Sequence, residues 1–340
     1  MCTFINYENL MKPETTILNI TDSDGDGIGC GLVFQAYAEK HKTGIEIVHT
    51  GPTKVDFVMK EVIDHIDEIY KSGVNKIFVS DLCPKAETIK VLMDKINGKT
   101  MMFRVYDHHG TAVPVMEKFP WHVTVDPNPD QSAAKLCYKK LIGNGSIDET
   151  FYGLIERISD YDCWKWQRDR NPALNAEEDW VTILNNIYKN PAFLRERLWN
   201  NVKEGFMFDE IDKMLIKNQN DRQERFLENL RVVEVRNEAD FTFGLIMAPE
   251  LEFSNPAMCK VYTEHDVDFA INIIPVPRLI SIRSANERED CDCIDVVKFF
   301  GLPGKGGGHK HAAGTTVSTE TMLELISLYY KGIDEQNASR

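Results

Sequence analysis

The sequence predicts an α/β fold: an N-terminal domain on a parallel sheet, a helical connector, and a smaller C-terminal domain of mixed α/β structure. Three observations lead there. Short β-branched runs alternate with longer helical patterns through the first half, which is how a parallel sheet covered by helices reads in sequence. Three of those runs, beginning at Thr16, Lys76 and Met101, end directly in acidic or histidine-bearing tips. The second half then passes from charged helical sequence into a cluster of strand-like runs.

Taken in order, Thr16–Ile20 reads as a strand, Gly29–Lys40 as a helix, Ile45–His49 as a strand and Val55–Tyr70 as a helix. The strand Lys76–Ser80, a helix over Lys85–Ile96 and the strand Met101–Tyr106 follow. From Gln131 to Asp160 the pattern is helical, and from Glu177 to Val232 it is helical again, with Pro191 breaking the run. Arg231–Val235, Phe241–Ile246, Asp268–Ile274 and Leu279–Arg283 are strand-like. The expected domains are residues 1–175, a connector over 176–230, and residues 231–334, with a polar tail from Asp334 to Arg340 expected to fray.

A chain of 340 residues, 43% hydrophobic and 27% charged, is long enough for two cores. No stretch approaches the roughly 20 apolar residues that a membrane span requires. The segment Met1-Cys2-Thr3-Phe4-Ile5-Asn6-Tyr7-Glu8 also lacks a basic region followed by an apolar one, so no membrane association is expected and the expected location is the cytoplasm. The eight cysteines follow no framework and read as reduced thiols; Cys291-Asp292-Cys293 is spaced too closely for an ordinary zinc pair. A net charge of −14 argues against binding long duplex nucleic acid through many phosphate contacts, and favours short or small phosphate substrates.

In open α/β sheets ligands bind beyond the carboxyl ends of the strands, so the three polar tips are expected to converge. Asp22-Ser23-Asp24-Gly25-Asp26-Gly27 puts carboxylates at alternate positions, a donor set suited to hard divalent cations. An EF-hand begins the same way, but here Val33 stands where its bidentate glutamate belongs, and a strand precedes Asp22 instead of a helix. Asp81 follows a strand, where an aspartate by itself is more often a helix cap than a ligand; the neighbouring polar tips favour the ligand reading. Asp107-His108-His109 can give one imidazole to a metal and leave the other for phosphate. Asp160 and Asp162 offer a further carboxylate; Asp160 is taken as ligand, with Asp162 as its substitute or a supporting residue. The run Gly306-Gly307-Gly308-His309-Lys310-His311 combines small residues, which let backbone amides approach an anion, with donor side chains, and Arg283 is a plausible phosphate partner.

Together, Asp24 and Asp26 before Gly27, Asp81, Asp107-His108-His109, Asp160 and the late Gly306–Gly314 run resemble the DHH phosphoesterase superfamily with its C-terminal DHH-associated domain. The resemblance implies a hydrolase with two divalent cations, Mn²⁺ foremost and Mg²⁺ as the alternative. It implies that Asp24 and Asp81 hold one ion and that Asp26, Asp81, His108 and Asp160 hold the other, with Asp81 bridging. His109 would contact the scissile phosphate, and Arg283 and His309 another phosphate or terminal group. Attack would be in line, by a hydroxide between the ions. The sequence departs from the family at Asp22, where the first motif carries a histidine.

The segments Ile280-Ser281-Ile282-Arg283-Ser284 and Ile294-Asp295-Val296 with the glycine run resemble the oligoribonuclease and cyclic-nucleotide phosphodiesterase branches. The expected substrate is therefore a short oligonucleotide or linear dinucleotide, cleaved to mononucleotides in the manner of an exonuclease. The alternatives are a cyclic-dinucleotide phosphodiesterase, a nucleoside-bisphosphate phosphatase, and a non-catalytic nucleotide binder. A homodimer is compatible with the sequence.

Overall fold

A computed structural model describes residues 5–10, 12, 14–128, 130–143, 148–163, 180–236, 241–248, 253–284 and 291–338. The start of the expected connector, residues 176–179, lies outside them. The chain divides into two compact units, Met1–Ile216 and Lys217–Arg340.

In the first unit, α1 (Tyr7–Leu10) leads into β1 (Thr15–Asp22), α2 (Gly25–Lys40), β2 (Gly44–Thr50), α3 (Val55–Asp64), α4 (Ile66–Lys71), β3 (Lys76–Ser80), α5 (Ala86–Ile96) and β4 (Met102–Asp107). Then come α6 (Val113–Lys118), the short β5 (Val123–Val125), α7 (Ala133–Cys137) with a π-helical turn over Tyr138–Ile142, and α8 (Glu149–Asp162). The five strands form one parallel sheet in the order β2-β1-β3-β4-β5. Strand alternation sends Ile17 and Phe78 to one face, where they join α2, α7 and α8. Leu18, Ile20, Ile77 and Val79 go to the other, against α3, α4 and α5. Because β1 lies between β2 and β3, the connections leave it in opposite directions, and the crevice beyond β1 and β3 is the switch point of the sheet.

Helix α2 starts four residues before the expected Gly29, because Asp24 caps it by accepting a hydrogen bond from the Gly27 amide at 2.9 Å. A Cβ at Gly27 would overlap the Asp22 carbonyl, so this tight turn needs glycine there. The expected helix over Val55–Tyr70 is broken at His65 into α3 and α4. Helices α9 (Trp180–Tyr188) and α10 (Pro191–Lys203) fall within the span expected as a connector. Their Ile183, Leu184, Leu194 and Leu198 belong to the same core cluster as α2. Pro191 sits in the first turn of α10, where its missing N–H costs nothing.

Helix α11 (Glu210–Glu228) crosses the unit boundary, and the second unit contains β6 (Val233–Arg236), β7 (Thr242–Ile246), α12 (Ser254–Glu264), β8 (Phe269–Ile274), β9 (Leu279–Ser284), α13 (Cys293–Phe300), β10 (Gly301–His309), β11 (Ala312–Val317) and α14 (Thr319–Ala338). Its sheet runs β10-β11-β9-β8-β7-β6, antiparallel except for the β7–β8 pair. The glycine run forms the edge strand of a hairpin; a Cβ at Gly306 would meet Val297 of α13 and Thr315 of β11, so glycine lets helix and hairpin close on one another. One expectation changes here. The tail expected to fray from Asp334 continues α14 to Ala338, with Gln336 donating to the Val232 carbonyl at 2.8 Å.

Candidate metal centre

The polar tips of β1, β3 and β4 meet at the switch point. Asp22 ends β1, Asp24 caps α2, Asp26 lies in the first turn of α2, Asp81 follows β3, and Asp107-His108-His109 closes β4. Three groups of these side chains bring one ligand atom each within 4.8 Å of one another: Asp22, Asp24 and Asp81; Asp26, His108 and Asp162; and Asp81, His108 and His109. Asp81 belongs to two of them.

Asp81 is where the energetics are most exposed. Its backbone is left-handed, at φ 58°, and its amide still donates to the Tyr106 carbonyl at 2.9 Å, so the chain turns sharply out of the sheet right after β3. Both carboxylate oxygens are buried without a hydrogen-bond partner. A left-handed non-glycine residue costs about 1–3 kcal/mol and an uncompensated buried carboxylate several more. Burial, and then the charges of Asp26, Asp24, Asp162 and Asp22, hold its carboxyl well above the usual range. A divalent cation offsets all of these costs together, since it partners the orphaned oxygens and cancels the repulsion. The residues present fit such an ion.

The neighbours are arranged in the same sense. Asp26 is fixed by the Ala133 and Ala134 amides, at 2.8 and 3.0 Å, which aim its carboxylate while burial raises its pKa. His108 Nε2 stands 3.4 Å from Asp162 Oδ2, 3.5 Å from Asp81 Oδ1 and 3.8 Å from Asp26 Oδ2. Burial lowers its pKa and favours the neutral imidazole that ligates metals. Asp22, the departure from the family motif, accepts from the Ser23 amide at 2.6 Å, and burial followed by the charge of Asp24 raises its pKa to about 7.

Asp107 stands behind this cluster. It accepts from the His108 amide at 2.8 Å and from His109 Nδ1 at 2.7 Å. Burial opposes charge on His109, but that hydrogen bond and the charge of Asp107 prevail and raise its pKa to about 9. In the metal-free protein Asp107→Asn is expected to lower the His109 pKa from its raised value, because the hydrogen bond and charge of Asp107 are lost while burial remains, and only the charges of Asp162 and Asp24 still oppose it; imidazole ¹⁵N chemical shifts against pH would show it.

Of the two α8 carboxylates, it is Asp162, and not the expected Asp160, that the structure brings into the cluster. Two residues along a helix turn the side chain by about 200°, so only one of the pair can face His108. Asp160 is in none of the three groups among the described residues, and its charge is felt by Tyr152 instead.

Two residues not singled out in the sequence also shape the site. His49, at the end of β2, donates from Nδ1 to the Asp22 carbonyl at 2.8 Å, and burial lowers its pKa to about 4. Its signal was a fourth polar strand tip. Asn185 of α9 donates to the Ser23 carbonyl at 2.8 Å, tying the acidic turn from a distant point in the chain that no local pattern marks.

In the second unit, Arg283 pairs in register with Ala312, and Ala312 with His309, so these positions lie level across β9, β11 and β10. The Arg283 guanidinium donates to Asn255 Oδ1 at 2.7 Å and to the Ile282 carbonyl at 2.9 Å. Gly306, Gly307 and Gly308 belong to the same edge strand, and Lys310 lies in its turn, where its carbonyl accepts from the Cys293 amide. The side chain of His309 lies outside the described set.

The acidic cluster makes a pH prediction for the protein stripped of divalent ions. Asp22, Asp81 and Asp162 have raised folded pKa values, so each contributes stability that is full below about pH 4 and is lost as pH rises through the folded value; for Asp22 that value is about 7. His109, raised to about 9, acts in the same direction above its unfolded value near 6.5. His49 opposes them only below that value. Between pH 6.5 and 8.5 the melting temperature should therefore fall, by roughly 5 °C, and Mn²⁺ should reverse the fall because it competes with protons for the same oxygens. A melting temperature that rises over this interval without metal would contradict the assignment.

No family model matches the sequence, and no curated protein matches it. Among solved structures the chain is similar to the pGpG-specific phosphodiesterase PggH from Vibrio cholerae, with 14% identity and a TM-score of 0.54 over 92% of this chain and 99% of that one. It is also similar to RecJ in complex with Mn²⁺ from Thermus thermophilus, with 13% identity and a TM-score of 0.52; the match covers 95% of this chain and 52% of that one, so the chain spans about half of RecJ. These likenesses show that the chain has the fold of the DHH superfamily. No helix among the described residues is long and apolar enough to cross a membrane.

Proposed function

We propose that this chain is a divalent-metal-dependent phosphoesterase that hydrolyses short oligonucleotides or linear dinucleotides to mononucleotides. The observation that carries the reading is Asp81, a buried carboxylate in a left-handed turn with both oxygens unpartnered, shared between two groups of ligand-type side chains. Asp22, Asp24 and Asp81 would hold one cation; Asp26, Asp81, His108 and Asp162 would hold the other. Bound there, the pair would supply Lewis acidity and lower the pKa of water.

The chain's own groups have separate tasks. Asp107 holds His109 through Nδ1 and favours its imidazolium form, so that Nε2 also carries a proton to donate toward a phosphoryl oxygen, and a pKa raised to about 9 keeps that proton in place at neutral pH. Asp26 and His108 are oriented by backbone amides and burial, so the donor set needs little rearrangement. In the second unit Arg283, Gly306, Gly307, Gly308, His309 and Lys310 are proposed to hold a substrate phosphate or terminal group; the register that sets Arg283 level with His309 across β9, β11 and β10 supports this for those two. Arg283→Ala is expected to raise KM by about tenfold and change kcat less, read from steady-state kinetics on a dinucleotide.

The substrate choice draws on the acidic net charge of −14, and on the fold likeness to a structure described as a pGpG-specific phosphodiesterase. The test is incubation of the purified protein with Mn²⁺ or Mg²⁺ and a panel of linear dinucleotide, cyclic dinucleotide, nucleoside bisphosphate and long single-stranded DNA. Mononucleotides from the linear dinucleotide are expected at the highest kcat/KM. A product list without them defeats the substrate assignment, and no turnover with two ions bound defeats the enzymatic one.

A further inference from the structure

The second unit contains a cavity of about 480 Å³ between its sheet and the helices α13 and α14, within the size range of small-molecule sites. Its lining is aromatic: Phe243 of β7 and Phe269 of β8 stack with centroids 5.4 Å apart, and Phe299 and Phe300 of α13 stand edge to face at 4.9 Å. Its charged lining is of one sign, with Asp292 and Asp295 on α13 and its cap and Glu324 on α14, and no lysine, arginine or histidine among the described residues lines it.

Strand alternation separates this cavity from the residues proposed to bind phosphate. Phe269 and Ile271 line it, whereas Arg283 pairs with Ala270 and therefore stands on the opposite face of the sheet, where it bonds Asn255 of α12. An anion is disfavoured by the three carboxylates, so the cavity is no second nucleotide pocket. A second copy of the chain is disfavoured for the same reason, since it would bring a net charge of −14 against an acidic rim. What complements aromatic walls and carboxylates is an apolar body carrying a positive charge, attracted by ring faces and carboxylates at once.

We propose that this cavity is a binding site for a small apolar organic cation, separate from the metal centre. Phe299, 82% exposed, stands at the rim of this cavity, where a bound ligand would cover its ring. Asp292 is committed to capping α13 through the Ile294 amide at 2.8 Å, and Asp295 pairs with Lys298 at 2.9 Å. Glu324, exposed on α14, is therefore the carboxylate best placed to meet the charge.

The test is calorimetric titration of the full chain with phenylbutyltrimethylammonium, its uncharged tert-butyl isostere, and phenylhexanoate. The cation is expected to bind about tenfold tighter than the isostere, and the carboxylate not at all. Glu324→Gln combined with Asp295→Asn should bring cation and isostere to within about threefold of each other, while Phe299→Ala weakens both. These three positions are exposed or at the rim, so the variants keep the fold, and circular dichroism confirms it before titration. No saturable binding overturns the proposal, as does equal affinity for cation and carboxylate, or cation preference that survives the double variant.

Discussion

Asp81→Asn is expected to lower turnover by about a thousandfold or more, and at the same time to stabilise the metal-free protein at pH 8. The two effects have one cause. Asparagine keeps the shape and tolerates the left-handed backbone that Asp81 adopts at φ 58°. It removes a charge that is buried, unpartnered and repelled by Asp26, Asp24, Asp162 and Asp22. Without cations that removal is a gain in stability; with them it is the loss of the carboxylate proposed to be shared by both ions. A role confined to packing would leave activity intact, and a role in an ordinary hydrogen-bond network would make the variant less stable. Thermal melts in chelator and kcat in Mn²⁺ therefore read out two consequences with opposite signs. Near-normal turnover, or a lower melting temperature in chelator, would show that Asp81 is not the shared ligand.

What could be seen from the sequence followed the range of the forces involved. The tips at Asp22, Asp81 and Asp107-His108-His109 were legible because a parallel sheet carries consecutive strand ends to one edge, and the β-branched runs before them fixed where the strands stop. The early start of α2 was missed because glycines at 25, 27 and 29 weaken the helical pattern, while the Asp24 cap and close packing against Ala134 restore it. Asn185 left no trace, since its bond to the Ser23 carbonyl joins residues far apart in the chain. The glycine run was read for its permissive backbone, whereas Gly306 is required by the approach of Val297 from a different element. Local chemistry was visible, and constraints imposed by a neighbour in space were not.

The pair at the end of α8 turns that distinction into a measurement. Asp162→Asn is expected to reduce kcat/KM by about a hundredfold or more, and Asp160→Asn by no more than about threefold. Both are aspartates in the last turn of the same helix, so their sequence surroundings are nearly alike; helical phase alone separates them. Asp162 Oδ2 is buried without a hydrogen-bond partner, 3.4 Å from His108 Nε2, and burial followed by the charges of Asp26 and Asp24 holds its carboxyl well above the usual range. That is the condition of a group whose partner is a cation, and neutralising it should also raise the metal-free melting temperature at pH 8, as at Asp81. Asp160 belongs to none of the three ligand groups among the described residues, so its variant should leave both activity and the metal-free melting curve near those of the parent. If the larger loss of activity followed Asp160→Asn, the proposed donor set would be wrong at its α8 carboxylate, although Asp81 and His108 would keep their places.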